Sequence, residues 1–117
     1  MKIASVKENQ TIEKRIALTP EIAKKYLSLG LEVFVSKNYG KHLGIKDRDY
    51  SQIGVKISED EKEIINSADI IVQLGLLSES NLEELKENQT IIGTLNPFIN
   101  KEKINQILKK KVNIFSL

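Results

Sequence analysis

Short β-branched runs alternate with charged, amphipathic stretches along the whole chain, and this alternation constrains the fold more than any other feature. Strands are predicted over residues 2–6 (KIASV), 31–36 (LEVFVS), 55–57 (VKI, a brief edge strand), 69–75 (DIIVQLG), 90–95 (TIIGTL) and 112–117 (VNIFSL). Between them lie helical segments. The first is expected from Pro20 to about Leu29: Thr19 offers a capping hydroxyl, Pro20 suits the first turn, Glu21 complements the positive helix end, and Gly30 stands where a left-handed cap is wanted. DRDYSQIG (47–54) reads as a short helix closed by Gly54, and Ser58 as the cap of SEDEKEIINSA, with Glu59, Asp60 and Glu61 in its first turn. LEELKE (82–87) reads as helical, and Asn100 as the cap of KEKINQILKKK. Strands separated by helices at this spacing imply right-handed crossovers. The expected class is α/β: one domain over residues 1–117, with an open, mostly parallel sheet and helices on both faces, Rossmann-like or flavodoxin-like.

The 117 residues suffice for a core without staples, and with no cysteine there is no disulfide framework, thiolate zinc site or cysteine nucleophile. A reducing cytoplasm fits best. Lys and Arg number 18 against 16 acids, and the signs alternate along the helices, which describes a solvated surface. Aromatic residues are 5% and scattered, so the interleaved basic and aromatic pattern of a nucleic-acid platform is missing. The Lys109, Lys110, Lys111 run falls at a helix C-terminus, where cations are favoured anyway. No apolar run approaches the roughly 20 residues of a membrane span, and the opening MKIASVKENQ is charged where a signal peptide is apolar.

Ligands of open parallel sheets bind beyond the carboxyl ends of the strands. The first predicted strand leads through Lys7 and Glu8 to Arg15; the 69–75 strand ends at Gln73, and the 90–95 strand leads to Asn96 and Pro97. Arg15, Gln73 and Asn96 are thus the candidate ligand-binding residues, a guanidinium fork and two amides on one rim. The set contains no general base, and its bland alternative is an ion pair of Arg15 with Glu8 or Glu13. The only histidine, His42, lies in a glycine-flanked loop and reads as a surface residue. No His and carboxylate cluster has metal-ligand spacing. The glycine-rich dinucleotide motif is also missing, because KENQTIEKR, with no glycine, follows the first strand.

The opening K-x-x-x-x-K-E, the segment E-x-R-I-A-L-T-P, the strands L-G-L-E-V-F-V and A-D-I-I-V, and N-P after T-I-I-G-T-L together resemble the N-terminal domain shared by alanine dehydrogenase and the alpha subunit of proton-translocating NAD(P) transhydrogenase. The resemblance runs through essentially the whole chain, and E-x-R-I-A-L-T-P is its most specific part. It implies that Arg15 matches the arginine that grips a substrate carboxylate in alanine dehydrogenase, that Gln73 stands where that enzyme has a polarising lysine, and that Asn96 stands where it has a proton-handling histidine. A glutamine supplies no cationic electrophile and an asparagine shuttles no proton. Transhydrogenase, as the resemblance describes it, needs neither, since hydride passes directly between two nicotinamides.

The reading implied by the resemblance is therefore the N-terminal portion of the NAD(H)-binding component of transhydrogenase, with Arg15, Gln73 and Asn96 facing the cofactor and Glu8 and Glu13 orienting Arg15. NADP(H) would sit on a partner domain. A homodimer, membrane and NADP(H)-binding partner components, and a cytoplasmic position peripheral to the inner membrane face are implied with it, without nucleic acid and without membrane insertion of this segment. Family members continue into a glycine-motif Rossmann domain and a helix that returns to close the first domain, so a truncated chain is expected, binding NAD(H) poorly or not at all. The alternatives are an alanine dehydrogenase-like oxidoreductase and a stand-alone, non-catalytic binding module.

Overall fold

The computed structural model describes residues 1–11, 13–94 and 100–116. Six strands, β1 (Lys2–Ser5), β2 (Glu32–Ser36), β3 (Lys56–Ser58), β4 (Ile70–Val72), β5 (Thr90–Gly93) and β6 (Asn113–Ser116), pair in the order β3-β2-β1-β4-β5-β6, every pair parallel. Five α-helices connect them: α1 (Pro20–Ser28), α2 (Asp47–Ser51), α3 (Glu61–Ser67), α4 (Glu79–Leu82) and α5 (Lys101–Lys109), with a 3-10 turn at Lys41–Leu43. The chain builds outward from β1 to β3, then returns to add β4 on the other side of β1. The order thus reverses between β1 and β4, the place where open α/β sheets part at their carboxyl edge.

Period-two alternation sends neighbouring strand residues to opposite faces. Ile3, Val33 and Val35 join Ala23 of α1 and Tyr50 of α2 in one core; Ala4, Ile71 and Ile91 join Ile64 and Ile65 of α3, Leu82 of α4 and Ile107 of α5 in the other. Coverage is unequal. Along the first face the rung Val72, Ile92, Phe115 leaves Val72 and Ile92 half-buried and Phe115 60% exposed.

Local signals act as expected at α1, where the Thr19 hydroxyl accepts from the Ile22 amide at 3.3 Å and Gly30 takes φ of 86° just beyond the last turn. Several elements are shorter than expected, β4 ending at Val72 and α2 at Ser51, and two helix starts differ. Ser58 is held in β3 opposite Ser36, so Asp60 caps α3 instead, its carboxylate accepting from the Glu63 amide at 3.2 Å, while Glu59 pairs with Lys37. The helix expected at 82–87 lies earlier, at Glu79–Leu82 behind a Ser78 cap. Gln89 explains the shift: its Oε1 accepts from the Lys86 amide, and its Nε2 donates to the Ile65 and Ala68 carbonyls, drawing the chain out of helix and into β5.

The segment between β1 and α1 crosses the carboxyl edge as a strap held by two tyrosines. The fully buried Tyr39 hydroxyl accepts from the Ala17 and Leu18 amides at 3.2 and 3.1 Å, so its own proton goes to Ser5 Oγ at 2.7 Å. Tyr50 donates to the Leu18 carbonyl at 2.7 Å, and the two rings meet edge to face. Tyr39→Phe keeps the ring while removing the acceptor of both amides. The expected loss is about 1–3 kcal/mol, measured by chemical denaturation; an unchanged midpoint would show that the strap is held without Tyr39.

Candidate functional site

At the switch between β1 and β4 a cleft of about 820 Å³ opens, lined from three strand ends. Its floor is built by Gln73, the residue after β4, which is 2% exposed. The Gln73 Oε1 accepts from the Val6 amide at 2.8 Å and its Nε2 donates to the Val6 carbonyl at 3.1 Å, so the side-chain amide lies against Val6 as another strand's peptide would. Because both Val6 groups have fixed polarity, they also fix which end of the amide is oxygen. Ser5 Oγ lies 2.6 Å from the Val72 carbonyl and 2.9 Å from Gln73 Oε1, linking this floor to Tyr39 and the strap.

Glu8, buried at 8% exposure, completes the floor. Its Oε2 accepts from Leu74 N at 2.8 Å and Gln73 Nε2 at 3.0 Å, and its Oε1 from Gly75 N at 3.0 Å. Thr94, beyond β5, donates to the Leu74 carbonyl at 2.8 Å, so the Leu74 peptide is held from both sides. Burial pushes the Glu8 carboxyl above its ordinary range, the Leu74 and Gly75 amides pull it back, and the nearby Glu13 charge adds to the rise.

Arg15 stands on the cleft wall with 76% of its side chain exposed. Its Nε and one terminal nitrogen both meet the Glu13 carboxylate at 2.9 Å, a bidentate pair, and the Arg15 amide closes on Glu13 Oε1 at 3.0 Å. That pairing holds the Glu13 carboxyl down at about 2. Glu13 is thus the partner of Arg15, whereas Glu8 turns to the β4 exit. His42 sits outside the cleft floor and pins the strap from behind, donating from Nε2 to the Lys14 carbonyl at 2.7 Å, with Gln10 Nε2 3.1 Å from its Nδ1.

The structure therefore brings Arg15 and Gln73 to one cleft in different capacities: Arg15 stands exposed on the wall with its guanidinium paired to Glu13, and the Gln73 amide is committed to Val6 and Glu8. Asn96 lies outside the described residues. Sequence reasoning missed Tyr39, Tyr50 and the floor-building role of Glu8. Their contacts reach across 21 to 67 residues, and no local pattern announces them.

The two carboxylates have opposite pH linkage. The Glu13 pair stabilises the fold fully above about 4.5 and is lost as the pH falls through about 2, whereas the Glu8 contribution is present below 4.5 and is lost as the pH rises through its raised folded value. Carboxyl titration by NMR should place Glu13 near 2 and Glu8 above 4.5. The reverse order would mean that Arg15 is not paired in solution. Glu8→Gln should gain stability relative to the parent as the pH rises through that upper window.

Residues 4–117 match the family model described as alanine dehydrogenase/PNT, N-terminal domain. The chain is 37% identical over 121 residues to an NAD(P) transhydrogenase subunit alpha protein of Rickettsia prowazekii, covering 100% of this chain and 32% of that protein. It is 33% identical to the N(5)-(carboxyethyl)ornithine synthase of Lactococcus lactis, covering 100% of this chain and 37% of that one. The solved structure of a transhydrogenase from Sinorhizobium meliloti superposes with a TM-score of 0.91 at 24% identity, over 99% of this chain and 34% of that one, a likeness of fold. The chain spans about a third of the length of the curated relatives it matches.

Proposed function

The chain belongs to the alanine dehydrogenase/PNT N-terminal domain family, and on that premise we propose that it forms the N-terminal portion of the NAD(H)-binding component of a proton-translocating NAD(P) transhydrogenase. The observation that carries this reading is the chemistry of the cleft. Its arginine is already neutralised by Glu13, its strand-end amide is committed to the floor, and the buried side chain beside that amide is a carboxylate with no cation among its hydrogen-bond partners. Oxidation of an amino acid calls for a group that polarises the substrate carbonyl and one that takes its proton. Direct hydride passage between two nicotinamides calls for neither, only for a shaped, water-poor wall.

In this reading Arg15 and Glu13 form the wall facing a nicotinamide, and Gln73 sets the depth of the floor beneath it. Asn96 is carried into the same reading by the family resemblance alone. NAD(H) is held between this domain and a following nucleotide-binding domain; NADP(H) lies on a partner component, beside membrane components that move the proton. The whole subunit is a homodimer peripheral to the inner face of the membrane. No helix among the described residues is long and apolar enough to cross a membrane. The open rung of Val72, Ile92 and Phe115 supports a further element of the longer protein closing the first face, as the family resemblance implies.

In the full-length protein, Arg15→Ala should weaken NADH binding about tenfold, read by nucleotide fluorescence, with Tm little changed because the Arg15 side of its pair with Glu13 is 76% exposed. Unchanged affinity would reduce Arg15 to its ion pair. NADH-driven reduction of pyruvate with ammonia would turn the reading to an alanine dehydrogenase, and a Tm indifferent to NADH to a binding module.

A further inference from the structure

The turn that follows β4 has the construction of an anion receptor. Consecutive backbone N–H groups of Leu74 and Gly75 point to one place, and the Gln73 Nε2 joins them, a concavity of the kind that captures phosphates and carboxylates. What occupies it is the chain's own Glu8, whose two oxygens take all three donors at 2.8 to 3.0 Å. Three N–H donors are the partners of an ionised carboxylate, which only accepts. Fit is close: a Cβ added at Gly75 would stand 3.3 Å from Glu8 Oε1, tighter than ordinary contact, so a side chain there crowds the carboxylate.

We infer that the Gln73–Leu74–Gly75 turn is a carboxylate-binding nest filled from within by Glu8, and that Glu8 is a specificity-determining residue which bars small carboxylates from the cleft floor. The reason is occupancy and charge together. An incoming carboxylate finds the converging donors taken, and it meets a buried negative charge with Glu13 as its charged neighbour and only the neutral Gln73 amide as a side-chain partner. Lys7, Arg15 and Lys103 line the same cleft, but Arg15 is paired with Glu13, and no cation neutralises Glu8 through any of its three hydrogen bonds. The floor thereby accepts an uncharged group and rejects an acid. This goes beyond the nucleotide reading, and its test contains no nucleotide, so the two fail separately.

Glu8→Ala empties the nest. Its Tm should fall by about 5–10 °C, since three buried donors lose their acceptor, and formate or acetate should restore part of that loss in a saturable manner that chloride at equal ionic strength does not match. In amide NMR spectra the Leu74 and Gly75 signals of the variant should move with formate, while those of the parent stay still. Equal responses to formate and chloride, or parent signals that move as far as those of the variant, would overturn the assignment. Should Glu8→Ala be unfolded in chloride, folding induced by formate carries it. Failure of both carboxylates to induce folding overturns it.

Discussion

The edge at which the sheet parts depends on one side-chain amide. Gln73 gives Val6 both of the hydrogen bonds that a neighbouring peptide would give, at 2.8 and 3.1 Å, beyond the last paired residues of β1 and β4. At a reversal of strand order the connections leave in opposite directions, and the backbone groups just past the strands have no ladder to join. A buried Val6 amide and carbonyl without partners would each cost about 1–3 kcal/mol. The amide removes that cost, and by donating onward to Glu8 it also places the carboxylate that organises the next turn.

From this point the remaining polar groups follow in a chain. Ser5 links Gln73 and Val72 to Tyr39, Tyr39 receives the amides of the strap, and Tyr50 takes the Leu18 carbonyl on the far side. No buried side-chain nitrogen or oxygen among the described residues is left without a partner. Such a network is rigid because each member has its donor and acceptor roles set by a backbone group at one end. The strap that carries Glu13 and Arg15 is therefore anchored near its C-terminal end by tyrosines and at Lys14 by His42, while Arg15 faces solvent from a half-buried Glu13.

Electrostatics in the cleft are balanced locally. Arg15 is answered two residues away by Glu13, and Glu8 is answered by backbone and amide dipoles, so the two carboxylates are displaced from ordinary titration in opposite directions by hydrogen-bonded charge and by burial. A wall of this sort offers shape and hydrogen bonds to a ligand and little net charge. That is a different instrument from a lysine and histidine pair acting on a substrate carbonyl.

Much of the architecture is legible in the residues, because its signals are local. Short β-branched runs mark the six strands seen among the described residues, and Thr19-Pro20 with Gly30 bounds α1 through contacts within a turn. Where two local signals compete, at Ser58 against Asp60 and at 82–87 against Ser78, tertiary contacts choose: the pairing of β3 with β2, and the reach of Gln89 to the carbonyls ending α3. Arg15 is visible as a cleft residue through its motif, and its partner Glu13 is only two residues away. Sequence proximity alone points Glu8 toward Arg15 as well. Its actual partners lie 65 to 67 residues on, joined to it only when β4 docks beside β1. By itself the sequence determined the elements, their parallel arrangement and the family, since periodicity, caps and motifs act along the chain. Which amide completes which strand, and which carboxylate fills which turn, was decided by the tertiary structure alone, because a hydrogen bond recognises distance and direction in space and carries no trace of separation along the chain.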